Sequence, residues 1–436
     1  MAPTIWVAFL FMFAQPTLSQ NISLDSHLYP NRTSWSSPSG HFAFGFYKEG
    51  QGFAVGIWLL DGSLHKTVVW TANTDEPLVS ANATLALTKN DILVSTVEGS
   101  QPKSITGGLD GELIYSASML ENGNFVLYGS DSKTIWQSFD CPTDTILAGQ
   151  SLILPSVQRL RYSEKVLLSS SVSRTNHTMG RFRLTLNLDA GLSLTPADDD
   201  SSSYWAPNSY EEEDYKLNLD DNGHMYLAME NDTISWNVTA GWPSSNHTSA
   251  IYRATLDQDG NFRLYSHGMQ KNNNSAADFR WQAVDDNCSV YGSCGINSYC
   301  MLGEPINCTC VPGFDYINSS ETSAGCEMRW GDSGFGSVEE KRMTTTIVSL
   351  QNTEFKSDYY SLLQNTEKED CKEACSIDAN CVAAQHYISI CYKLKFPLRY
   401  GRRQREMLIP YVLFVKSANR DWQEKNIPAP FPRHRS

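Results

Sequence analysis

Leu120–Leu147 reads LENGNFVLYGSDSKTIWQSFDCPTDTIL, and this stretch decides the fold. Asn122-Gly123 is a turn signal, because both residue types tolerate the left-handed backbone that a tight turn requires. The runs on either side of Gly129–Lys133, Asn124–Gly129 (NFVLYG) and Thr134–Phe139 (TIWQSF), are too short for helices and rich in β-branched and aromatic residues. Working outward, the same grammar recurs in His41–Tyr47, Phe53–Leu60, Lys66–Ala72, Ala83–Thr88, Asp91–Thr96 and Gly111–Ala117. Short strands at this spacing, with little helical periodicity between them, predict an all-β sandwich, barrel or prism. Trp58, Trp70 and Trp136 fall on such strands and are expected to share one central core.

The turn-and-strand unit repeats. Leu120–Tyr128 is matched by Asp257–Tyr265 (DQDGNFRLY), more faintly by Leu219–Leu227 (LDDNGHMYL) and Leu186–Leu194 (LNLDAGLSL). A second β-domain over 151–284, related to the first at 20–150, follows. The acidic stretches Asp198–Ser203 and Glu211–Asp214 are expected as solvated loops.

The chain has 436 residues, with 34 Lys plus Arg against 48 Asp plus Glu, a formal charge of −14. That balance excludes nucleic acid as a partner and argues against docking on anionic lipid. Ile5–Ala14 (IWVAFLFMFA) is an apolar run too short to span a bilayer, so residues 1–19 are expected to be a signal peptide. Asn-x-Ser/Thr sequons at Asn21, Asn31, Asn82, Asn176, Asn231, Asn237, Asn246, Asn273, Asn287, Asn307 and Asn318 support export and N-glycosylation. Met407–Val415 is nine residues interrupted by a proline and reads as a strand. As written, the mature chain is expected to be secreted.

SGHFAFGFY, TVVWTAN, LENGNFVLY and WQSFD-x-PTDT occur in an order that resembles the bulb-type, mannose-binding lectin domain of plants. From about Asn21 to Lys416 the chain resembles the extracellular region of a plant G-type lectin receptor-like serine/threonine kinase. The resemblance implies tandem β-prisms, each of three small sheets around a pseudo-threefold axis, then EGF-like and PAN/apple-like modules.

Eleven cysteines fall unevenly. Cys288, Cys294, Cys300, Cys308, Cys310 and Cys326 crowd a segment too small to hold itself by apolar burial, and spacing alone leaves on the order of fifteen pairings open. The EGF-like resemblance, placed at 285–327, implies Cys288–Cys300, Cys294–Cys308 and Cys310–Cys326. No C-x2-C pair or spaced His pair suggests zinc, and Asp285 and Asp286 read as loop residues rather than calcium ligands. After a linker at 328–339, Thr366–Cys381 (TEKEDCKEACSIDANC) opens like a helix and puts Cys371 and Cys375 one turn apart. It resembles a PAN/apple-like domain, over 340–416, for which Cys371–Cys391 and Cys375–Cys381 are the expected bonds. Cys141 is left over and is expected as a buried free thiol, with pairing between chains as the alternative. Residues 417–436 read as a disordered tail.

The mannose site of bulb lectins has the pattern Q-x-D-x-N-x-V-x-Y, with amide and carboxylate groups exchanging hydrogen bonds with sugar hydroxyls, Val packing on the sugar face and Tyr closing the site. Here the positions hold Leu120, Asn122, Asn124, Val126 and Tyr128, expected on one side of a strand by alternation. The copy near Leu87, Lys89, Asp91, Leu93 and Ser95 has lost its polar groups. That at Asp257, Asp259, Asn261, Arg263 and Tyr265 has Arg where Val belongs. The preferred reading keeps these residues for the fold; the other is a mannose pocket at Asn122, Asn124, Val126 and Tyr128.

Gly331–Val338 (GDSGFGSV) superficially resembles a kinase glycine loop, but no HRD-type or DFG-type motif follows it. No H-E-x-x-H or G-x-S-x-G occurs. The expectation is therefore a non-enzymatic receptor region with no cofactor or metal. Its expected partners are a mannose-type glycan or a protein ligand at the cell surface, and a receptor-kinase partner or homodimer. The alternative is an incomplete reading of a membrane-bound lectin receptor kinase.

Overall fold

The computed structural model describes residues 21–60, 66–96, 101–154, 165–187, 191–199, 201–207, 215–229, 231–239, 250–269, 277–303, 306–328, 346–404 and 410–417. The expected signal peptide at 1–19, the sequons Asn246 and Asn273, the acidic Glu211–Asp214, Gly331–Val338 and residues 418–436 lie outside them.

The chain is mainly β. Three short strands, Ile22–Ser23, His27–Leu28 and Trp35–Ser36, each start one antiparallel sheet. The chain then completes the sheets in reverse order. Phe42–Glu49, Gly52–Leu60 and Lys66–Thr71 join the third strand; Thr84–Leu87, Ile92–Ser95 and Lys103–Ser104 join the second; Ser116–Met119, Phe125–Tyr128 and Thr134–Gln137 join the first. The inner faces meet in one core, in which Phe44 and Phe125 stack at 4.1 Å and Trp35 lies against both.

The same plan then repeats. Thr145–Leu147, Gln150–Leu154 and Lys165–Ser173 start three further sheets. Asn176–Asn187 and Gly191–Pro196 complete the last; Tyr215–Leu219, Met225–Met229 and Ile234–Asn237 the middle one; Ala250–Leu256, Phe262–Gly268 and Asp278–Gln282 the first. A second core forms around Phe182, Tyr252 and Phe262. Thr145–Leu147 thus belongs to the second prism, so the strands change partner before residue 150.

One device recurs in four sheets. Ile57 faces Trp70, Leu127 faces Trp136, Leu227 faces Trp236 and Leu264 faces Trp281, and a bulge follows each apolar partner at once. Such aromatic cross-strand pairs contribute about 0.2–1 kcal/mol each, and the bulge adds twist that helps close a prism. Trp70 and Trp136 pack on the first core, but Trp58 does not. Strand alternation turns it outward, where it is buried with Ala43 and Tyr47 beneath the Lys66 ammonium, 4.2 Å above its ring. Gly111–Tyr115 is also not strand. Asp110 and Gly111 have positive φ, and the run enters as a loop that drops Ile114 into the core.

The repeated Asn/Asp-Gly turns have a packing reason as well. Gly123, Gly223 and Gly260 share φ of +86°, +82° and +82°, and a Cβ on them would meet Leu147 and Phe42, Tyr252, or Phe182 and Val290 below 3 Å.

The two cysteine-rich segments are fused rather than strung apart. Ser298–Met301 runs parallel to Gly401–Arg403, in a sheet that also holds Asn307–Cys310 and Thr353–Phe355. A five-stranded sheet, Thr346–Gln351, Val412–Ser417, Ala383–Tyr387, Ile390–Leu394 and Tyr359–Gln364, carries the helix Lys368–Ile377. This helix buries Cys371 and Cys375. The bonds are Cys288–Cys300, Cys294–Cys308, Cys310–Cys326, Cys371–Cys391 and Cys375–Cys381. The Asp198–Ser203 stretch is not simply solvated: Arg399 pairs with Asp198 at 2.6 Å and the Tyr400 hydroxyl donates to Asp199 at 3.0 Å. Tyr400 also stacks on Tyr291, which leans on Tyr204 of the second prism.

Candidate ligand-binding site

The first mannose-type motif is not one strand face. Leu120–Asn124 is a tight turn in which Leu120 N–H bonds to Asn124 O and Gly123 N–H to Leu120 O, and the strand starts only at Phe125. Asn122 is exposed, and its Oδ1 caps the turn by accepting from Asn124 N–H at 3.1 Å. Asn124 is buried. Its Nδ2 donates to Gln137 Oε1 at 2.9 Å, and its Oδ1 accepts from Ser138 Oγ and Phe139 N–H, both at 3.2 Å. The amide therefore ties the hairpin to the Ser138–Asp140 turn, and only one of its protons remains for another acceptor. Val126 is buried as well, opposite Ser118 and Gln137. Tyr128 is half-buried, and burial raises its phenol above the usual value. Of the four motif residues, Asn122 in the turn is exposed and Tyr128 on the strand is half-buried, while Asn124 and Val126 are buried.

The copy in the second prism is occupied by its own chain. Arg263, in the Val position, bonds Asp257 through Nη1 at 2.7 Å and Asp259 through Nη1 at 2.7 Å and Nη2 at 2.6 Å. Tyr265 OH donates to Asp257 at 2.6 Å, and Asn261 is spent on Val284 O and Asn287. Two of the other four motif positions, Asp257 and Asp259, thus close on the guanidinium, and Tyr265 joins them through Asp257. Burial opposes the charge on Arg263, yet the bonds from Asp259 and Asp257 outweigh it and hold the group firmly cationic. The Arg was legible in sequence; that it closes on both aspartates was not.

Cys141 is exposed rather than buried. It follows the 3-10 turn Ser138–Asp140; its carbonyl accepts from Trp70 Nε1 at 2.7 Å, which fixes the backbone and leaves the side chain outward. Partial burial and the neighbouring Asp140 push the thiol up, away from thiolate.

The two prisms are clasped at a site that sequence reasoning missed. The tip of the Lys165–Asn187 hairpin crosses to the first prism, where the backbone N–H of His177 and its Nδ1, the latter at 3.1 Å, meet Glu49 Oε1. The His177 ring also stands edge-on to Tyr47 at 5.6 Å. Burial opposes ionisation of Glu49, but the bonds from His177 prevail and hold its carboxyl below the usual value. Clefts of about 670, 140 and 260 Å³ all border His177. No pattern of spacing could have paired residues so distant in the chain.

With this geometry in hand, comparison with known proteins is informative. The D-mannose binding lectin family matches residues 67–170 and the S-locus glycoprotein domain family residues 221–318. A rice G-type lectin S-receptor-like serine/threonine-protein kinase, LECRK1 of Oryza sativa subsp. japonica, is 30% identical over 94% of this chain and 53% of its own length. This chain is a relative of the G-type lectin S-receptor-like kinases. Rice LECRK2 of subsp. indica is 29% identical over 95% of the chain, and an Arabidopsis thaliana kinase of the same description is 28% identical over 86%. The chain spans about half the length of the curated relatives it matches. Neither matched family is a kinase. The fetuin-binding, two-domain lectin of Scilla campanulata aligns over 60% of the chain at 16% identity with a TM-score of 0.21, a superposition too loose to bear on the fold.

Among the described residues, no helix of this lectin-receptor relative is long and apolar enough to cross a membrane. Asn21, Asn31, Asn82, Asn176, Asn231, Asn237, Asn307 and Asn318 are exposed. Asn287 is half-buried, with its Oδ1 drawn into the Asn261–Arg263 network.

Proposed function

We propose that this chain is the ligand-recognition region of a lectin receptor, displayed at the cell surface or released from the cell, and that its ligand class is carbohydrate. The observation that carries this reading is the pair of clasped three-sheet prisms, one holding a motif strand within a D-mannose binding lectin match. A mannose-type glycan would meet the first prism at Asn122 and Tyr128, with Asn124 and Val126 as the floor beneath them. Because much of the Asn124 amide is already bonded, this contact is weak, and useful avidity needs several copies of the ligand or receptor.

The remaining parts fit an extracellular setting. The five disulfides suit an oxidising compartment, and the exposed sequons suit N-glycosylation. The segments at 285–327 and 340–416 are read as EGF-like and PAN/apple-like modules, protein-contact surfaces through which a receptor-kinase partner or a second copy would engage. A role in cell-surface signalling is our reading of the receptor-like kinase description that the relatives carry, and a membrane-bound lectin receptor kinase of which this chain is one part is the second reading. Isothermal titration of the intact chain with a high-mannose oligosaccharide tests the reading. Weak binding lost in Tyr128→Ala and Asn122→Ala supports it, and binding indifferent to both substitutions moves the sugar elsewhere.

A further inference from the structure

The cleft of about 670 Å³ lies where the Phe42–Thr71 sheet of the first prism meets the tip of the Lys165–Asn187 hairpin of the second. Arg32, Lys48, Lys66 and Arg174 line it. Glu49 is its one lining carboxylate, and His177 already holds it. Among the described residues, none of the four cations joins an ion pair. An unneutralised cationic cluster inside a concavity stands out on a chain whose formal charge is −14, where random placement favours acidic surroundings. Thr33, Ser34 and Thr175 line the same cleft and add hydroxyl groups beside the cations. Lys66 is steadied by the Trp58 ring below it, so its ammonium is partly preorganised.

We propose that this inter-prism cleft binds an acidic oligosaccharide, one whose sugar rings carry carboxylates. Carboxylates make charge-assisted hydrogen bonds to Lys and Arg, the stronger class of such bonds. The hydroxyl groups beside the cations match ring hydroxyls, which a run of acidic peptide side chains does not present. Because the cleft needs both prisms, recognition there also reads whether the clasp is closed. The assignment rests on carbohydrate as the ligand class but not on the Asn122–Tyr128 face.

The test uses the full chain with its N-glycans trimmed to single sugars, since Asn31 lines the cleft and Asn176 flanks it. Three probes are titrated calorimetrically: a uronic acid oligosaccharide, its methyl ester, and a poly-glutamate peptide of equal charge. The uronate binds, and its ester binds at least about tenfold more weakly, the order expected for one lost charge-assisted contact. Lys66→Gln with Arg174→Gln weakens the uronate by a similar factor, whereas Lys66→Arg retains it. Both side chains are exposed, so an unchanged thermal transition accompanies these substitutions. Equal binding of acid and ester, or indifference to the double substitution, overturns the assignment. Poly-glutamate binding as tightly as the uronate overturns it in favour of an acidic peptide. A high-mannose oligosaccharide run in parallel reports separately on the Asn122–Tyr128 face.

Discussion

Arg263→Val removes the guanidinium that fills the second motif and restores the residue that a mannose site would have there. The Arg263 side chain is 13% exposed, and those of Asp257 and Asp259 are 24% and 28% exposed. Breaking a buried ion pair from one side costs about 3–5 kcal/mol, because it strands the partner charge. Both carboxylates retain some access to water, which screens them, so a loss of about 2–3 kcal/mol is expected. For a prism of this size, that lowers its unfolding temperature by about 10 °C. Differential scanning calorimetry of the intact chain reads the shift, with the second-prism transition followed separately because a multidomain chain need not unfold in one step. Adding Asp257→Asn and Asp259→Asn to Arg263→Val removes the stranded charges and recovers much of the loss. An unchanged transition in Arg263→Val, or no recovery in the triple variant, refutes the reasoning that the aspartates depend on Arg263.

The other predictions concern the clasp, the turns and the thiol. Glu49→Gln weakens the inter-prism contact by about 1–2 kcal/mol, read as faster hydrogen exchange of the hairpin tip near His177. Since Glu49 is depressed in the folded chain, its contribution is present above the ordinary carboxylate value of 4.5 and fades as pH falls through the lower folded one. The wild-type melting temperature should therefore fall more steeply in that acid range than that of Glu49→Gln; parallel curves would count against the clasp. Gly260→Ala, with its φ of +82° and its Cβ driven into Phe182, costs about 3 kcal/mol, while Gly40→Ala at φ +78° with open space around it costs about 1 kcal/mol in thermal denaturation. Cys141→Ser changes stability by less than about 0.5 kcal/mol, and one thiol per native chain reacts with a thiol reagent; no labelling before unfolding would place it inside.

Strand existence and the duplicated plan were legible because period-two alternation and Asn/Asp-Gly turns are local signals. Phe53–Leu60 reads as a strand from its own residues. That Trp58 points away from Trp70, however, depends on which face of the sheet the core covers. The Gly111–Ala117 run looked like a strand because it is apolar, but Asp110 and Gly111 take positive φ and divert the chain. Cys141 reads as buried because the motif around it is packed, whereas its side chain is exposed and only its carbonyl is held, by the Trp70 indole. The motif was visible as spacing, but what its polar atoms bond to is set by Gln137, Ser138 and Phe139 in one copy and by Arg263 in the other. The Glu49–His177 clasp joins residues 128 apart in sequence, beyond the reach of any local pattern.

A glycan array probed with the intact chain tests the claim of carbohydrate recognition most directly. The account predicts selective retention of mannose-type or carboxylated sugars, diminished by Tyr128→Ala for the former and by Lys66→Gln with Arg174→Gln for the latter. Failure to retain any sugar class at millimolar sensitivity, from a chain with native disulfides and a native melting profile, would contradict it.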